Sequence, residues 1–247
     1  MQEIHMGASK RSGKSMIGPL AMLAVAAIAF VGTHFLFSSR QVRPKLVGAL
    51  GEDLYALIFL VWAAILFAWM VIAYIDAPYV EFWPAVTGTR HLAMSVMALA
   101  AIFLVAGTSG YNPTAIGLDR LPKPSDPARG IYQVTRHPVM WALGLWGVVH
   151  MLANGDAASL ILFGSLTFLA LGGTVALDRK KRGAMSDEEW QKFLDATSNV
   201  PFVALIQGRA RLSLGDIGWW RIGLAIALYL GLLVGHPIVF GVSPLGG

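Results

Sequence analysis

The chain has 247 residues, 56% of them hydrophobic and only 13% charged, with a mean hydropathy of +0.62 and a formal net charge of +5. Soluble domains carry about 25% charged residues, so the recurrent apolar runs here mark a polytopic, all-α membrane bundle rather than a soluble domain with one anchor. There is no cysteine, which excludes disulfides, iron–sulfur ligation and thiolate–metal sites, and the basic residues sit at helix ends instead of forming a nucleic-acid-binding module.

Residues 1–15 are polar and basic and predict a flexible tail ahead of one membrane-embedded domain over 16–247. The first span, 16–37, has no small-residue cleavage site behind a short apolar core, so it predicts a retained helix rather than a signal peptide. It carries His34 near its end and is followed by Arg40, Arg43 and Lys45. A second span covers 54–74, and a third, 91–107, is short enough to imply a thinned or tilted crossing. The 108–137 segment is a long loop stiffened by Pro113, Pro122, Pro124 and Pro127, and it is placed to cover a site.

The fourth span, 138–153, starts at Pro138, whose missing N–H suits a first helical turn. Arg136 and His137 therefore stand at its mouth, and His150 lies near its far end. Asn154-Gly155 turns the chain into a fifth span, 157–177, so these two helices are antiparallel neighbours. A basic run, Asp178-Arg179-Lys180-Lys181-Arg182, ends it. Ser186 and Glu189 have capping-box spacing, and the helix they open carries Trp190, Phe193 and Leu194 on one face. That face, with Phe202, Leu205 and Ile206, predicts an amphipathic helix on the membrane surface. The sixth span covers 219–239 behind Trp219 and Trp220.

Six spans put loops one, three and five on one side, with 15 of the 19 basic residues. The positive-inside rule makes that side cytoplasmic and predicts integral residence in a membrane of the bacterial inner (plasma) type.

Six histidines are present. His137 and His150 are thirteen residues apart on one helix, roughly 20 Å at the helical rise, so they cannot share one metal. His34 and His137 match in depth on the cytoplasmic side, with Arg40, Arg43 and Arg136 near the same surface. Imidazoles from two helices can ligate haem b from both faces, and arginines can bind its propionates. The same residues admit a plainer reading, in which His34 bonds a neighbouring carbonyl or serine, His137 caps its own helix, and the arginines only set topology. His150 is expected to partner His91 or Asn154, with metal ligation the lesser alternative.

An ordered set of motifs resembles the NnrU family of membrane proteins and the 15-cis-zeta-carotene isomerases that share its domain. They are Gly32-Thr-His34 with Arg40 and Arg43, Gly130-Ile-Tyr132, Thr135-Arg-His-Pro138 with Trp146 and His150, Asn154-Gly155, Asp178-Arg-Lys-Lys181, Asn199-Val-Pro-Phe202 and Gln207-Gly-Arg209. The resemblance implies a link to nitric-oxide and denitrification metabolism, or a haem-dependent cis–trans isomerase-like activity with His34 and His137 as iron ligands. Nitric oxide or a hydrophobic small molecule would then be the partner, beside the lipid bilayer and an unidentified redox partner. In the isomerases a cysteine three residues before the second histidine takes part in a ligand exchange. Val134 stands there in this chain, so a thiolate exchange is not available. Arg136-His137-Pro138 with Gly144, and Asp187-Glu-Glu-Trp190 before Val200-Pro201, also resemble membrane methyltransferases that use S-adenosylmethionine. An accessory protein without a cofactor is the third reading.

Overall fold

The computed structural model describes residues 17–114, 118, 121–181 and 186–245. The expected tail, 1–15, lies outside the described residues, as do Arg120 and Arg182. In chain order the helices are α1 (Ile17–Ser38), α2 (Arg43–Leu50), α3 (Glu52–Ile75), α4 (Thr87–Thr108), α5 (Pro138–Asn154) and α6 (Ala157–Lys181). They continue with α7 (Asp187–Ala196), α8 (Val203–Ile206), α9 (Leu214–Ile217) and α10 (Trp219–Phe240). Five are long and apolar enough to cross a membrane, and α5, at 17 residues, is a shorter apolar sixth.

Local chemistry sets the boundaries. Pro138 occupies the first turn of α5, and Gly155 closes that helix with φ +69° while its N–H bonds the Met151 carbonyl. The Trp83 carbonyl and indole fill the space a side chain at Gly155 would need, so both backbone and packing require glycine there. Asp156 follows at once and accepts from the Ser159 N–H at 3.0 Å, capping α6.

Three expectations change. The third span starts earlier, at Thr87, and its 22 residues remove the need for a thinned crossing. Its polar first turn is helical, with the Arg90 N–H and the Thr89 hydroxyl both on the Val86 carbonyl. The basic stretch after the first span includes a short helix, α2, entered through Pro44. The apolar face of α7 turns inward to the protein instead of to lipid: Trp190 and Phe193 are buried in a cluster with Phe103, Ile131 and Tyr132.

Helix α5 is the hub, packed along α4 on one side and α6 on the other. A separate apolar core joins α1, α3 and α6 through Leu23, Phe30, Leu66, Met70 and Phe163. Contacts between loops sort the ends of the bundle. At one end Lys123 meets Glu189 at 3.0 Å and Arg129 meets Asp216 at 2.8 Å, which joins loops three and five. At the other, the Phe82 N–H bonds Gly155 and the Ala157 N–H bonds Val80, which joins loops two and four.

Candidate functional site

Gly130–Gln133 forms a 3-10 turn, and the segment from Val134 to His137 then runs to the mouth of α5 between two clamps. On one side Phe202 N–H bonds the Val134 carbonyl, Thr135 Oγ1 donates to the Asn199 carbonyl at 2.6 Å, and Arg136 N–H bonds Ser198. On the other, Thr114 Oγ1 donates to the Arg136 carbonyl at 2.8 Å, while Asn112 holds Thr114 and the end of α4. Asn199 spans further, accepting from the Trp141 indole and donating to Thr174 of α6. Phe202 has φ +68°, an uncommon value for a bulky residue, and it marks the tight corner from which this clamp is built. Burial pushes the Tyr132 hydroxyl above the usual phenol range, and it donates to the Tyr111 carbonyl at 2.8 Å.

The clamp delivers two side chains to one carboxylate. Arg136 Nε lies 2.9 Å from Asp178 Oδ1 and its terminal nitrogen 2.6 Å from Oδ2, a two-pronged pair. His137 Nε2 lies 2.7 Å from the same Oδ1, and its side chain is fully buried. Asp178 is half-buried at the end of α6, so this cluster locks α6 to the start of α5. With Nε2–H on the carboxylate, His137 Nδ1 carries the lone pair, and that atom is buried without a hydrogen-bond partner.

The other expected site residues are placed elsewhere. His34 sits against Phe59 of α3, ring centroids 5.0 Å apart, and against Phe30. Its Nδ1 is also buried without a partner. Arg43 pairs with Glu52 and lies over the Tyr55 ring, while Arg40 is exposed. Thus Arg136 and His137 come together on Asp178, whereas His34, Arg40 and Arg43 belong to the neighbouring α1–α3 corner. His150 bonds the Trp146 carbonyl at 2.7 Å and stacks toward His236, in place of the expected His91 or Asn154.

Sequence reading missed Asp178 and Asn199 as site residues. Asp178 heads a basic run that reads as a topology signal, and Asn199 bonds across long stretches of chain. The only advance signal was their presence among the motifs shared with relatives.

Fold and cluster define an integral-membrane helical bundle with a buried histidine–carboxylate–arginine group at one end of its central helix. The family model described as "NnrU protein" matches residues 22–244, and the chain belongs to that family. It is 28% identical over 246 residues to the chloroplastic 15-cis-zeta-carotene isomerase of Arabidopsis thaliana, which covers 95% of this chain and 64% of that protein. With the enzyme of the same name from Zea mays it is 26% identical over 197 residues, 78% of this chain and 52% of the relative. The chain therefore spans between half and two thirds of the length of these relatives. No solved structure matches it.

Proposed function

We propose that this NnrU protein holds a haem b through His34 and His137 and acts, isomerase-like, on an apolar molecule or on nitric oxide within a membrane of the bacterial inner type. One observation carries the reading. Among the described residues four buried side-chain atoms lack a hydrogen-bond partner, and two of them are Nδ1 of His34 and of His137. An unsatisfied buried polar atom costs about 1–3 kcal/mol, and a metal can take such a lone pair instead. Two such imidazole nitrogens are the kind of donors a bis-imidazole haem uses, which supports the reading. The His137–Asp178 bond is the kind that orients a ligating imidazole and raises its basicity.

When bound, the haem would supply a redox-active iron whose coordination decides between electron transfer and substrate binding. Asp178 fixes the ring orientation of His137 and the proton on Nε2. Arg136 balances the carboxylate charge, which leaves the exposed Arg40 as the arginine free to reach a propionate; Arg43 would have to exchange Glu52 for one. Phe30 and Phe59 keep water from His34.

Absorption spectra of the purified chain, oxidised and reduced, test this. A Soret band is expected in the wild type and its loss in both His34→Ala and His137→Ala. A colourless chain that binds S-adenosylmethionine would favour methyl transfer instead, and one that binds neither would favour an accessory role.

A further inference from the structure

A cavity of about 280 Å³ lies at the other end of α5 from His137, between α4, α5 and α10. Helix α10 packs along α4, and across the slot His236 of α10 faces His150 of α5 with ring centroids 6.5 Å apart and planes 30° from parallel. Leu232, which lines the slot, is half-exposed, so the slot borders the apolar outer surface of the bundle. His137 lies roughly 20 Å away along α5, thirteen residues at the helical rise.

The hydrogen bonds fix which imidazole nitrogen is available. His150 Nδ1 lies 2.7 Å from the Trp146 carbonyl, and His236 Nδ1 lies 2.7 Å from the Val242 carbonyl. A carbonyl only accepts, so both Nδ1 atoms carry hydrogen, and each neutral ring keeps its lone pair on Nε2. Neither Nε2 has a hydrogen-bond partner among the described residues. Arg90 lines the same cavity and makes no ion pair among the described residues, while Met94, Met97, Leu232 and Leu233 supply apolar walls. Two imidazole acceptors and one cationic donor thus line a mostly apolar slot, beside the hydroxyls of Tyr79, Tyr229 and Ser243 and the Asn154 amide.

That set selects among bilayer molecules. A phosphodiester headgroup and an ionised fatty acid have no O–H to give two imidazole acceptors, and a plain polyene has no polar group at all. A hydroquinone has two hydroxyl donors, oxygen lone pairs for a guanidinium and a flat apolar ring. We propose that this slot binds a membrane quinol, its hydroxyls donating to His150 and His236 and one oxygen accepting from Arg90. Binding here requires no group at His34 and His137, so the two sites stand or fall separately.

Equilibrium dialysis of the detergent-purified full chain decides it, using a short-tailed benzoquinol kept reduced under argon and, beside it, the O,O-dimethyl ether of that quinol. The ether keeps ring and tail and loses both donors. Saturable binding of one quinol per chain is expected, about tenfold weaker for the ether and in His150→Phe or His236→Phe, as loss of one to two hydrogen bonds implies. Equal affinity for quinol and ether, no saturable binding of quinol, or unchanged affinity in both variants would overturn it. If a variant fails to fold, the quinol–ether comparison on the unaltered chain still decides.

Discussion

Asp178 is the residue on which the site turns, because one carboxylate answers two side chains delivered by a different helix. Its side chain is 20% exposed and that of Arg136 14%, so the pair is largely withdrawn from solvent. Removing one partner of such a pair strands the other charge. Asp178→Ala is therefore expected to destabilise the chain by about 3 kcal/mol, read as a lowered midpoint of thermal unfolding in detergent. Asp178→Asn keeps an oxygen acceptor and should lose less. Arg136 and His137 were legible in the sequence because polar residues at the mouth of an apolar helix stand out. Their partner was not, since it lies more than forty residues away and heads a run of basic residues. His34 was legible for the same reason as His137, but its aromatic surroundings on α3 depend on helix rotation, which the sequence pattern left open.

At the scale of elements, the closeness of α5 and α6 rests on glycines. A side chain at Gly147 would collide with the Thr167 hydroxyl and stand 2.9 Å from the Phe163 carbonyl, and one at Gly144 would meet Leu171. Gly147→Ala should cost roughly 1–3 kcal/mol by overpacking, measured by the same unfolding assay. Helix α7 offers a contrast. Trp190→Ala empties a buried position and is expected to cost about 3–5 kcal/mol, with α7 becoming sensitive to limited proteolysis. Glu189→Gln removes only a solvent-exposed bond to Lys123 and should leave the midpoint unchanged. The Lys123 ammonium holds the Glu189 carboxyl below its ordinary value. What that bond adds is thus present above the usual carboxylate range and lost as pH falls through the lowered value. The capping spacing and apolar stripe of α7 were readable in advance, and Glu189 N–H does bond Ser186 Oγ. Which surface would receive the stripe was not readable, because lipid and a protein groove ask for the same residues.

For the whole molecule, the six-span count and the pairing of loops followed from apolar run lengths and from where the basic residues fall. The structure joins loops three and five at one end and loops two and four at the other. The absence of cysteine makes single-cysteine labelling clean. Lys45→Cys, Lys192→Cys and Gln207→Cys are expected to react with an impermeant maleimide from one side of sealed vesicles and Glu81→Cys from the other. Labelling of Lys45→Cys and Lys192→Cys from opposite sides would break the topology. The central claim reaches across the bundle as well, since it asks α1 and α5 each to give one imidazole to a single iron. Low-temperature electron paramagnetic resonance of the oxidised, haem-loaded chain tests that most directly. A low-spin ferric signal in the wild type that is lost, with the haem, in both His34→Ala and His137→Ala is the expected result. A signal left unchanged by either substitution, or a chain that takes up no haem, would contradict it.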